Sequence, residues 1–254
     1  MKNLFAALIF FTRLPFWRIK TVPSECFRHV VSYWSLTGWL TGGIMALVFF
    51  LAMLVFPHEA AVMSALASRL LVTGALHEDG LADFFDGFGG GRDRESTLRI
   101  MKDSHIGSYG VLGLIVYYLM AYTLLAALPP EHIPFVLLCG DAFAKCISSF
   151  VIRLPYARKE EESKAKVVYA SMTGKECVAS ILGGTVPLLF LPFCYLWALL
   201  LPVVCFFLLV ALFKRRLGGY TGDCCGALFL LCELGFWAGA VMVSRHLPFI
   251  MHWL

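Results

Sequence analysis

Three aspartates in the run Leu76-His-Glu-Asp-Gly-Leu-Ala-Asp-Phe-Phe-Asp-Gly-Phe-Gly-Gly-Gly91 have the types and spacing of a cation-binding face. With Asp79 at zero on an α-helix, Asp83 falls at about 40° and Asp86 at about −20°, whereas Glu78 points about 100° aside. Three anions on one face repel one another, so the arrangement calls for a cation or for uptake of protons. Mg²⁺ suits it, because that ion takes a few carboxylates and completes its shell with waters and substrate phosphates. Asp79 and Asp86 are about 10 Å apart along the axis, too far to share one ion. The expectation is therefore two Mg²⁺ ions along the face, or ligands from a second segment. A pair of ions is a known clamp for in-line displacement at phosphorus. The plainer reading is a solvated acidic helix end.

Two further polar runs supply partners. In Met101-Lys-Asp-Ser-His-Ile-Gly107, Asp103 is a candidate ligand, Ser104 a candidate cap for the following helix, and His105 a candidate phosphate donor or proton carrier. In Gly218-Gly-Tyr-Thr-Gly-Asp-Cys-Cys-Gly226, Thr221 and Asp223 fit a helix N-terminus, where N–H groups and the dipole favour phosphate. Asp223 is read either as that helix's cap or as a ligand. The glycines after Asp86 and the cations Arg92, Arg94, Lys102 and Lys214 read as an anion-binding mouth. His77 and Lys145 join them as candidate substrate contacts.

The elements that position these residues follow from composition. The chain has 254 residues, 59% hydrophobic and 15% charged, with mean hydropathy +0.78. That is too little polar surface for a soluble domain, which carries roughly 25% charged residues. The fold class is all-α: one integral membrane catalytic domain, 1–254, built as a polytopic transmembrane helix bundle. Apolar runs at 34–56, 60–81, 109–128, 135–152, 178–191, 193–213 and 227–244 give about seven spans, within a range of five to eight. A short interfacial helix at 3–16 precedes them. Arg69, Asp141 and Lys145 lie inside spans and should face the bundle, with Arg69 snorkelling or pairing with Asp141. The nine cysteines form no CxxC pair and read as small buried hydrophobes.

Of the 21 basic residues, all but Arg69, Lys145 and Arg245 fall in one alternate set of connections. These include Lys159, Lys164 and Lys166 between the fourth and fifth spans. The positive-inside rule then puts the N-terminus and the polar runs in the cytoplasm and the C-terminus outside.

In order and spacing, the runs resemble the adenosylcobinamide-GDP ribazoletransferase (cobalamin 5′-phosphate synthase) family. The resemblance spans Phe10-Phe-Thr-Arg-Leu-Pro15, His77-x-Asp79-Gly-Leu-Ala-Asp83-x-x-Asp86-Gly87, Ile100-Met-Lys-Asp-Ser-x-Ile-Gly107, Tyr156-Ala-Arg158 and Gly218-Gly-x-Thr-Gly-Asp223-x-x-Gly-Ala227. It implies a Mg²⁺-dependent, multi-pass enzyme of the bacterial cytoplasmic (inner) membrane. Such an enzyme joins α-ribazole, or its 5′-phosphate, to adenosylcobinamide-GDP and releases GMP. The partners implied are these two substrates and membrane lipid, with no nucleic acid; an oligomer is compatible with the pattern. On this reading Asp79, Asp83, Asp86 and Asp223 hold metal, and one carboxylate, Asp86 for choice, serves as general base. The fourth span reads Asp141-Ala-Phe-Ala-Lys145 where family members often carry Ser-Arg, so the Arg's role passes to Lys145 or is lost. The segment Lys159-Glu-Glu-Glu-Ser163 stands where they carry a glycine-rich run. The competing readings are a CDP-alcohol phosphotransferase-like phospholipid enzyme and a divalent-cation transporter.

The charge bias yields a direct expectation. Reporter fusions should place the 87–102 loop in the cytoplasm and the C-terminus outside. Reaction of an engineered cysteine in that loop with an impermeant reagent added to intact cells would overturn the orientation.

Overall fold

In the computed structural model, residues 1–158 and 168–250 are described, 247–250 by their backbone alone. Lys159, Lys164, Lys166 and the 159–163 segment lie outside the described residues. The described chain is helical throughout: α1 (Lys2–Phe11), α2 (Phe16–Ile19), α3 (Trp34–Met53), α4 (His58–Thr73), α5 (Leu76–Gly90), α6 (Arg94–Ile100), α7 (Ser108–Ala126), α8 (Ile133–Ser149), α9 (Gly174–Thr185), α10 (Leu200–Leu217) and α11 (Gly222–Ile250). Stretches of 3-10 helix lead into α3 and α10 and extend α8 and α9. Its one isolated bridge joins Tyr156 to Tyr220.

Five of these helical stretches are long and apolar enough to cross a membrane, and the pair α4–α5 makes a sixth if counted as one broken span. A seventh crossing needs Gly174–Phe190. There α9 continues into the 3-10 turn Val186–Phe190, giving about 28 Å against the ~30 Å hydrocarbon core. Val178, Ile181, Leu182, Leu189 and Phe190 are exposed along it, as on a lipid-facing side. The span windows of α8 and α11 are 78% and 72% buried, so these two form the centre. Those of α7 and α10 are 22% and 17% buried and form the periphery.

The expected second span, 60–81, is not continuous. α4 and α5 meet at 92°, because Gly74 (φ 64) and Ala75 (φ 58) both take left-handed conformations. For an alanine this costs about 1–2 kcal/mol. The bend turns the acidic helix away from α4 and packs it across α7 and α11.

The core contains charge. Arg69 of α4 pairs with Glu233 of α11 and donates to the Tyr117 hydroxyl of α7 at 2.9 Å. It also lies 3.8 Å from Glu78 of α5. Asp141 is not its partner, as the sequence had offered, but belongs to Lys145, one helical turn away at 2.5 Å. Lys145 also donates to the Thr41 hydroxyl at 2.6 Å, and its ammonium lies 4.8 Å from the Phe229 ring centre. Glu233 is a second intramembrane acid beside Asp141. Both carboxylates are matched by internal cations.

Removing one member of such a pair strands the other. Asp141→Leu should cost about 3–5 kcal/mol and lower the thermal midpoint of the detergent-solubilised protein. Asp141→Leu with Lys145→Met should restore most of the loss. A single variant as stable as the parent would contradict this pairing.

Candidate active site

The bend and one close helix crossing build the site. A Cβ added at Gly80 would stand 3.0 Å from the Asp223 carbonyl oxygen and 3.1 Å from its Cα. Reciprocally, a Cβ at Gly226 would stand 3.0 Å from the His77 carbonyl oxygen. The backbones of α5 and α11 therefore touch where each carries a glycine, which bare Cα positions allow. His77 and Asp79 flank one side of the contact and Asp223 the other. All three line a cavity of about 310 Å³, with Arg158, Tyr156 and Tyr169.

Thr221 settles one ambiguity. Its hydroxyl accepts from the Cys224 amide at 3.3 Å and so caps α11. The cap role does not fall to Asp223, whose carboxylate lies 3.4 Å from the Arg158 guanidinium. Arg158 is held by a short backbone link: the Ala157 amide donates to the Tyr220 carbonyl at 2.8 Å, and the Tyr220 amide to the Pro155 carbonyl at 3.0 Å. Burial pushes the Tyr220 phenol up from its ordinary range.

The acidic face divides by height along α5. Asp79 is exposed to the cavity and Asp83, a turn on, is half-buried outside it. Asp86 is buried and does something else: its carboxylate accepts from the Gly107 amide at 2.7 Å and from the Gly110 amide at 2.8 Å. It satisfies the start of α7, the task the sequence offered to Ser104. Asp103 and His105 are exposed and pair with each other at 2.8 Å, outside the cavity. The His105 amide and ring hold the Asp103 carboxyl below its usual range.

The expected anion-binding cations are dispersed. Arg94 donates to the Leu217 carbonyl at 2.7 Å and the Ala157 carbonyl at 2.8 Å, tying α6 to the end of α10. Arg92, Lys102 and Lys214 are exposed, and Lys145 is sealed in the core beside Asp141. None of these lines the cavity. Arg158 and the aromatic lining stand outside the residues whose type alone marks them for chemistry. Arg158 was visible as the end of the Tyr156-Ala-Arg158 motif and Phe10 as the start of Phe10-Phe-Thr-Arg-Leu-Pro15, whereas nothing local marks Trp34 or Tyr169.

Among the described residues no three His, Cys, Asp or Glu side chains gather into a ready metal cage. The cavity's donor set, Asp79 and Asp223, fits the other mode, in which two carboxylates hold Mg²⁺ and phosphate oxygens and waters complete it. Asp86, whose two oxygens accept amides from the start of α7, does not line that cavity.

Comparison with known proteins bears on the whole chain. The family model described as cobalamin-5-phosphate synthase matches residues 3–241. A protein named adenosylcobinamide-GDP ribazoletransferase from Shewanella frigidimarina is 37% identical, covering 91% of this chain and 90% of its own. Proteins of the same name from Shewanella amazonensis and Shewanella oneidensis are 39% and 35% identical, again over about nine-tenths of both chains. No solved structure matches. With these matches spanning both α5 and α11, the chain belongs to the cobalamin-5-phosphate synthase family.

Proposed function

We propose that this chain is an adenosylcobinamide-GDP ribazoletransferase, joining ribazole or its 5′-phosphate to the cobinamide-phosphate arm and releasing GMP. The carrying observation is the juxtaposition of Asp79 and Asp223 in one cavity at the α5–α11 crossing, within a chain whose relatives bear that name. Family membership favours this reading over a phospholipid-making CDP-alcohol phosphotransferase. A cation transporter is disfavoured by Lys145 and Arg69, which already neutralise the intramembrane acids.

The reaction is a displacement at phosphorus. A ribose hydroxyl oxygen attacks the phosphorus carrying the cobinamide arm, a P–O bond forms to it, and the bond to the GMP oxygen breaks. Asp79, the more exposed carboxylate, takes the hydroxyl proton on the oxygen that a metal would leave free. Arg158 and the capped N-terminus of α11 hold the pyrophosphate, with N–H groups and dipole facing its charge. Asp79 and Asp223 would hold Mg²⁺, which supplies neutralisation of the pyrophosphate and of the charge developing on the leaving group. Asp86 acts by holding α7 against α5, and Asp83 and Asp103 stand outside the reacting centre. The cavity opens to the cytoplasm of a bacterial inner membrane, consistent with the basic connections around it.

GMP release from adenosylcobinamide-GDP tests this with purified protein. Release should require ribazole and Mg²⁺, stop with EDTA and return on adding Mg²⁺. Asp79→Asn and Asp223→Asn should each lose at least a hundredfold in turnover while remaining folded. Asp86→Asn should retain turnover but melt earlier. Near-parental turnover in Asp223→Asn would return that residue to a structural role.

A further inference from the structure

The cavity has a second character that the phosphoryl chemistry does not use. Away from Asp79 and Asp223 its wall includes Phe10, Phe11, Val31, Trp34 and Tyr169, with the His77 ring 5.4 Å from Trp34. Phe11 and Trp34 stack at 5.1 Å with their planes 13° apart and are buried as a floor. Phe10 meets Tyr169 edge to face at 6.4 Å, both half-buried at the rim. Phe10 and Phe11 end α1, the helix that the sequence offers only as an interfacial anchor.

We propose that this aromatic chamber binds the planar base of the ribazole acceptor, so that the end of α1 and Tyr169 determine acceptor recognition. The inference rests on the ribazoletransferase reading. At about 310 Å³ the cavity sits at the lower end of small-molecule sites, roughly 300–1,000 Å³. That is room for one nucleoside, not for a corrin macrocycle with its substituents. A benzimidazole presents two hydrocarbon faces and a hydrocarbon edge, which stack on aromatic rings at about 1–3 kcal/mol per base. The donor's guanine is the competing occupant. Its edge carries more donors and acceptors than the buried, unpartnered Trp34 Nε1 and His77 Nε2 could match. With the base against Phe10 and Trp34, the attached ribose points to the end of the cavity where Asp79 and Asp223 stand. Attack and recognition then share one chamber.

Steady-state kinetics separate the possibilities, each substrate being varied with the other saturating. Phe10→Ala and Tyr169→Leu should each raise the KM for ribazole about tenfold, the equivalent of ~1.4 kcal/mol. The KM for adenosylcobinamide-GDP and kcat should stay within about twofold of the parent, on the same scale. Tyr169→Phe, which keeps the ring, should keep the parental KM. A merely structural role would move both KM values and the thermal midpoint together. An unchanged ribazole KM in Phe10→Ala overturns the proposal, and a rise confined to the donor assigns the chamber to guanine. Equilibrium dialysis with ribazole alone distinguishes failure of the underlying reading. Ring-dependent ribazole binding by a protein that releases no GMP would leave the chamber standing and remove the reaction.

Discussion

Arg69 sits where four helices meet. Its guanidinium pairs with Glu233 of α11, reaches Tyr117 of α7 and faces Glu78 of α5, while its own backbone belongs to α4. A cation buried this deeply is tolerable only with such partners, since its uncompensated burial would cost several kcal/mol. The constraint works in both directions. The helices must converge to satisfy the charge, and their convergence fixes where the bend after α4 sends α5. Asp79 follows Glu78 directly and is exposed to the cavity while its neighbour is buried against Arg69. The buried charge thus sets the rotation of the helix that carries Asp79.

From that rotation the remaining geometry follows by contact. α5 meets α11 at Gly80 and Gly226, with no side chain on either to hold the backbones apart. The capped start of α11 is thereby placed beside Asp79, and Arg158 arrives through its link to Tyr220. Asp86, two turns along α5, reaches a different neighbour and secures the start of α7. One acidic face therefore meets two helices, α11 at its N-terminal end and α7 at its C-terminal end.

Much of this was legible in residues alone. The spacing of Asp79, Asp83, Asp86 and Glu78 separated the acidic face from the residue that turns inward, and composition required a membrane bundle. The glycine-rich run before Asp223 marked a helix start. The sequence could not tell which acid meets which partner, because that depends on height along a helix and on packing between segments that lie up to 164 residues apart. Asp86 and Asp79 look alike on a helical wheel and differ only in their neighbours. Glu233 was hidden in an apolar run, and Arg69 was offered Asp141 because no local signal reveals pairing across the core. The break at Gly74 and Ala75 was missed for a related reason: alanine in a left-handed conformation is a tertiary outcome.

The central claim is that Asp79 and Asp223, from two helices, act in one site. A double-mutant cycle on turnover tests it most directly, using Asp79→Asn, Asp223→Asn and the two combined. Groups that act as a unit are strongly non-additive, so the double variant should be no slower than the worse single variant by more than about twofold, the scatter of additivity for independent sites. A loss equal to the product of the two single losses would show two independent roles and contradict the account.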